Sequence, residues 1–210
     1  MSAFRSLAGF IVLLALTALA QQPDPATWLA RDSHEGLLLA ADPYSSAARS
    51  KVKFGKKHPV DFGILPLEVV FRNDNDKPLL VEPTAIRLLL EPPGGQRQQL
   101  EPMTVEEVLE MMLYRHGPDM TMPRRPLPLP KSKPDRSMEY LELESRIRPH
   151  ALEMFLIPPK STVRGFLFFH MGRRMENVRY ARLYLPDVRF FHNKQPLFFF
   201  EVDLAKATGP

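Results

Sequence analysis

Two short aromatic stretches constrain this chain most: residues 163–169, V-R-G-F-L-F-F, and residues 196–204, P-L-F-F-F-E-V-D-L. Both are dense in aromatic and β-branched residues, are bounded by Pro, Gly or Asn, and are too short for ordinary helices, so they predict core strands. The second stretch also predicts its own facing. Phe198, Phe200, Val202 and Leu204 fall on one side of a pleated strand, and Phe199, Glu201 and Asp203 on the other, the period-two pattern of a half-buried strand. The rest of the chain must then supply a cover for that apolar face.

Several other segments carry the same grammar. Residues 33–41, S-H-E-G-L-L-L-A-A, predict a first strand closed by Asp42-Pro43. Residues 64–72 alternate Leu67, Val69 and Phe71 against Glu68, Val70 and Arg72, a strong strand pattern. Asn73 to Pro78 then spaces carboxylates and amides two apart, but lacks the glycine and distal glutamate of a calcium loop, so an ordinary Asn/Asp turn is expected. Residues 84–91 place Ile86, Leu88 and Leu90 on one face, and 96–100 return as a weaker strand. Residues 178–185 set Ala181, Leu183 and Leu185 against Tyr180, Arg182 and Tyr184; 187–191 extend that strand, and 192–195 connect to the last one. Residues 45–60 lack periodicity and predict a long loop with room for one helical turn. Strands at this spacing predict a mainly β antiparallel sandwich.

One region departs from this pattern. Thr104 and Glu107 form a capping box, and Val105, Val108, Leu109 and Met112 recur at helical spacing, predicting a helix over 104–115 that Gly117-Pro118 stops. Six prolines between 118 and 134 exclude regular hydrogen-bonded structure. A second helix over 135–147 carries Tyr140, Leu143 and Ile147 on one stripe, with Pro149 beyond it. Residues 102–155 are therefore expected to form a helical, proline-rich insertion in a domain spanning 33–210. Lengthening a surface connection costs only about 0.6 kcal/mol per doubling, which leaves such an insertion free to specialise.

The N-terminus predicts export. A short basic start, the apolar run 7–19 and the small-x-small sequence Ala18-Leu19-Ala20 make residues 1–20 a secretory signal peptide. The run is shorter than the ~18 apolar residues expected of a membrane span. A mature chain beginning at Gln21, with residues 21–32 as an arm pinning Trp28, is expected to be periplasmic or extracellular and without a transmembrane span. It has no cysteine, so burial must stabilise it in a compartment where disulfides are available. Loops and strand edges must absorb 22 prolines in 210 residues, about twice the usual ~5% usage. Removing Arg5 with the signal peptide lowers the formal charge from +4 to +3. The basic groups at Lys51, Lys53, Lys56 and Lys57, and at Arg124, Arg125, Lys131, Lys133 and Arg136, then fit solvated loops better than nucleic-acid binding.

Three features together, the signal peptide, the strand ending Val70-Phe71-Arg72-Asn73-Asp74-Asn75 and the S-T-V-R-G-F-L-F-F stretch at 161–169, resemble immunoglobulin-like domains of unknown function in exported bacterial proteins. The resemblance spans roughly 36–204, with the insertion as a departure. It implies an immunoglobulin-like antiparallel β-sandwich with a binding or envelope role, and it transfers no catalytic residue.

Chemistry is sparse. There is no G-x-S-x-G elbow, and Ser33 and His34 would point to opposite faces of one strand. Histidines at 34, 58, 116, 150, 170 and 192 are scattered without H-E-x-x-H. The methionines at 103, 111, 112, 120 and 122 cluster around His116; thioethers suit copper(I), making Met111, His116, Met120 and Met122 a candidate metal set. Met is equally a filler of core gaps. Tyr180, Tyr184, Arg124 and Arg125 are candidate partner contacts. The leading expectation is a noncatalytic exported protein binding a protein or glycan. The alternatives are a periplasmic copper(I)-handling protein and an enzyme whose groups assemble only in three dimensions.

Overall fold

A computed structural model describes residues 24–114, 138–153, 155–172 and 174–208. Residues 1–20, expected to be a signal peptide, and the proline-rich run at 118–134 lie outside these residues. The first sheet has the order β1 (Arg31–His34), β2 (Leu37–Pro43), β3 (Ile64–Asn73) and β8 (Ser161–His170). A small sheet joins β10 (Val188–Phe190), β4 (Leu79–Val81) and β7 (Leu156–Ile157). The third runs β11 (Phe200–Asp203), β9 (Ala181–Leu185), β5 (Arg87–Leu90) and β6 (Gln98–Leu100). All strand pairings among the described residues are antiparallel. Among the described residues four α-helices accompany them: α1 (Ala47–Phe54), α2 (Val105–Tyr114), α3 (Met138–Ile147) and the short α4 (Ala205–Thr208).

Alternation on the longest strands produces two cores. On β3, Leu65, Leu67, Val69 and Phe71 join Leu88, Leu183, Phe200 and Val202 of the third sheet in one apolar cluster that also takes Leu79, Ile157 and Val188 from the small sheet. β8 is apolar on both faces: Leu167 and Phe169 enter that cluster, while Phe166 and Phe168 enter a second one with Phe54, Ile64, Val108, Leu109, Met112, Tyr140, Leu143 and Ile147. The insertion helices thus cover the back of the first sheet. Their predicted caps and stripe are present. Thr104 N–H donates to Glu107 Oε2 at 2.8 Å, Glu107 N–H donates to Thr104 Oγ1 at 3.2 Å, and Tyr140, Leu143 and Ile147 are buried.

Several local features differ from the sequence expectations or were not anticipated by them. Residues 33–41 are a hairpin rather than one strand, turning at Glu35 (φ 48°) and Gly36 (φ 74°); positive φ at both central residues is the two-residue turn that follows strand twist. Residues 45–60 hold the eight-residue α1, capped by Ser46 Oγ, which accepts from Arg49 N–H. Leu79–Val81 is a strand too short to show periodicity. The predicted strand at 84–91 begins only at Arg87, after a 3-10 turn at Pro83–Ala85. Likewise β9 begins at Ala181, after a 3-10 turn at Met175–Tyr180. The facing of the last strand holds for Phe200, Val202 and Leu204, each fully buried, but Phe198 is 75% exposed because pairing starts only at Phe200.

The Asn/Asp turn serves architecture. Asn73 is fully buried, and its Nδ2 donates to the carbonyls of Lys77, Ile157 and Pro158 at 2.9, 3.2 and 3.1 Å. Its Oδ1 accepts from Asn75 N–H at 3.0 Å. One amide thus joins β3 to the end of β7, satisfying buried carbonyls that would otherwise be costly.

Candidate functional site

The third sheet turns one face into the core and leaves the other open. Strand register places Glu201, Tyr184 and Arg87 side by side across β11, β9 and β5. Leu89 and Gln99 are paired on β5 and β6. Together with Phe199 and Arg97, these side chains line an open groove of about 570 Å³. The Tyr184 and Phe199 rings lie 5.6 Å apart at 49°, with Phe199 53% exposed.

The polar groups around the rings are held in place. Arg87 Nη1 donates to the carbonyls of Thr84 and Ile86 at 2.5 and 2.8 Å, and its Nη2 pairs with Glu101 at 3.1 Å. Arg97 pairs with Glu91 at 3.1 Å and Arg182 with Glu201 at 3.3 Å. Exposed pairs of this kind add little stability, but they balance charge around the groove and fix the side-chain planes.

A seam positions the aromatic end. Glu35 Oε2 accepts from Phe198 N–H at 2.7 Å, and Asp32 Oδ2 accepts from Glu201 N–H at 3.0 Å. His34 lies between the two carboxylates, 3.6 Å from Asp32 and 3.5 Å from Glu35. Its ring stacks on Phe200 at 3.9 Å and 9°. The hairpin that sequence periodicity missed is therefore what holds residues 198–201 beside Tyr184.

Two other polar clusters bind elements together. Behind the first sheet, Glu68 is only 7% exposed; it accepts from the Tyr44 hydroxyl at 3.0 Å and faces Arg164 at 3.7 Å. Burial, reinforced by Glu68, pushes the Tyr44 hydroxyl pKa up. Arg49 stacks over Tyr44 at 4.1 Å and pairs with Asp42 at 2.6 Å. At the end of α3, Arg148 pairs with Glu106, Glu144 and Glu153, tying α2 to α3 beside an apolar cleft of about 570 Å³ between Met103, Leu152, Phe155 and Phe168.

Of the candidate partner contacts, Tyr184 lies in the groove. Tyr180 is half-buried in the 3-10 turn with Arg179 5.3 Å above its ring, and does not line the groove. Arg124 and Arg125 lie outside the described residues, as do His116, Met120 and Met122. Met111 is buried in the helix core, the packing role its place on α2 allows. Among the described residues no group of three or more His, Cys, Asp or Glu side chains gathers as a metal site. No described helix is long and apolar enough to cross a membrane. The sequence reading missed Arg87 and Gln99 as groove residues, because only strand pairing brings β5 and β6 beside β9. Phe199 and Glu201 were legible from the outward alternation of the last strand.

No family model matches the chain, and no curated protein matches it. Among solved structures, the chain is similar to a functionally unknown protein from Listeria monocytogenes EGD-e, at 13% identity and a TM-score of 0.34, over 76% of this chain and 74% of that one.

Proposed function

We propose that this is an exported, noncatalytic binding protein of the cell envelope or its surroundings, which holds a protein or glycan partner in the groove of the third sheet. The observation that carries this reading is the ring pair of half-buried Tyr184 and exposed Phe199, set between fixed polar side chains on a sheet whose other face is core. Exposed aromatics beside fixed polar groups are the usual anchors of recognition. The immunoglobulin-like sandwich belongs to the same proposal; its support is the single core shared by the first and third sheets, and an experimental structure in which those sheets do not pack face to face would remove it. Export rests on residues 1–20 and is checked by the intact mass of secreted protein, which should begin at Gln21; full-length protein in the membrane fraction would contradict it. The binding reading is tested by placing a photo-crosslinking residue at Gln99 in producing cells. Discrete adducts that disappear with Tyr184→Ala are expected; their absence, together with no retention of the protein by any glycan, would overturn it.

A further inference from the structure

We infer that the groove is built for a neutral, hydroxyl-rich polysaccharide; this rests on the binding reading above and names the ligand class. Charge is the first argument. The cations at and beside the groove, Arg87, Arg97 and Arg182, are each met by a carboxylate: Glu101, Glu91 and Glu201 at 3.1, 3.1 and 3.3 Å. A phosphate or an acidic chain would have to compete with those carboxylates, so the face offers anions little that is not already occupied. A sugar hydroxyl meets no such opposition, because it donates and accepts at once and can share a paired guanidinium or carboxylate.

Shape is the second argument. The C–H face of a pyranose is apolar and suits an aromatic ring, whereas its edge carries hydroxyls. Tyr184 and Phe199 supply two rings 5.6 Å apart, and the planar groups of Arg87, Gln99 and Glu201 lie along the same groove. The groove lies on an open sheet face rather than in a closed cavity, which suits internal residues of a chain that passes across it. A protein hot spot would instead gather a dry apolar centre with charge at its rim, and here a charged side chain, Arg87, is the direct neighbour of Tyr184 on β5.

The test uses the mature chain from Gln21. Depletion isotherms are measured on chitin and cellulose, and retardation is measured in native gels containing xyloglucan or galactomannan, with alginate as the anionic control. Binding to at least one neutral polysaccharide is expected, weakened about tenfold or more by Tyr184→Ala and by Phe199→Ala. Both rings lie outside the buried core, so melting curves of these variants should stay close to wild type. Phe198→Ala, exposed but not lining the groove, should retain binding. Tighter binding to alginate than to every neutral chain, or retention indifferent to both groove variants, overturns the inference. If no polysaccharide is retained while the Gln99 crosslinker captures a protein in a Tyr184-dependent way, the glycan class falls and the binding reading stands; if neither occurs, both fall.

Discussion

Adjacent phenylalanines on the last strand separate core from surface at the resolution of single residues. Phe200 is fully buried and Phe199 is 53% exposed, so Phe200→Ala should cost about 3 to 5 kcal/mol of stability, with Phe199→Ala costing markedly less. Equal shifts in chemical denaturation would show that the facing is wrong. A second residue carries pH dependence. His150 packs edge-on to Phe54 and Phe166, with Lys53 and Glu68 near it. Burial, and then Lys53, hold its imidazole below the ordinary histidine range, against a smaller opposing pull from Glu68. As pH falls, the unfolded chain therefore takes up this proton first, so stability is present above the ordinary histidine value of ~6.5 and declines below it. Glu106, lowered mainly by its bond from Arg148, loses its contribution only in the carboxylate range. His150→Gln should flatten the stability profile just below about pH 6.5 while leaving the acid limb in the carboxylate range in place. An unchanged slope in that window would rule His150 out as its source.

At the scale of elements, legibility followed length and period. β3, β8, α2 and α3 were readable because each has enough residues for alternation, a stripe or a cap to appear. The β1–β2 hairpin was not readable, because β1, Arg-Asp-Ser-His, carries no apolar residue to set a period before the turn at Glu35 and Gly36. β4 has three residues and β7 two, and both exist through pairing with partners far along the chain. Of the groove, the outward ring and carboxylate of the last strand and Tyr184 were legible, whereas the arginine facing Tyr184 on β5 needed the register. β8 also shows why one of its residues is glycine. A Cβ on Gly165 would meet the Leu152 Cα at 2.7 Å and its backbone N at 2.8 Å, where Leu152 N–H donates to Phe166 O at 2.9 Å. The neighbour is backbone and cannot simply rotate away, so Gly165→Ala should cost about 1 to 3 kcal/mol through overpacking. Thermal denaturation measures this, and a variant as stable as wild type would mean that the 151–153 segment is not held against β8.

At the scale of the whole molecule, the two cores decide what the helical insertion is for. Considered from sequence, residues 102–155 looked like a surface elaboration on a sheet that closes without them. The structure gives their helices a face to cover: Phe54, Ile64, Phe166 and Phe168 are at most 3% exposed, and they pack in one cluster with Val108, Leu109, Met112, Tyr140, Leu143 and Ile147. Fully burying one such side chain is worth roughly 1.5 to 3 kcal/mol, so uncovering four would remove several kcal/mol, comparable with the roughly 5 to 15 kcal/mol that stabilises a typical domain. Deleting 104–148 with a short linker should therefore give a chain that aggregates or melts far below the parent. Replacing Phe166 and Phe168 with threonine, a strand-compatible polar residue, should partly restore solubility to the deletion variant but destabilise the full chain. The groove lies on the third sheet and draws no residue from α2 or α3, so any folded fraction of the rescued variant should still be retained by the matrix that retains the parent. A deletion variant as stable as the parent would show instead that the first sheet and its partners fold without the helices, and that the second cluster contributes little to stability.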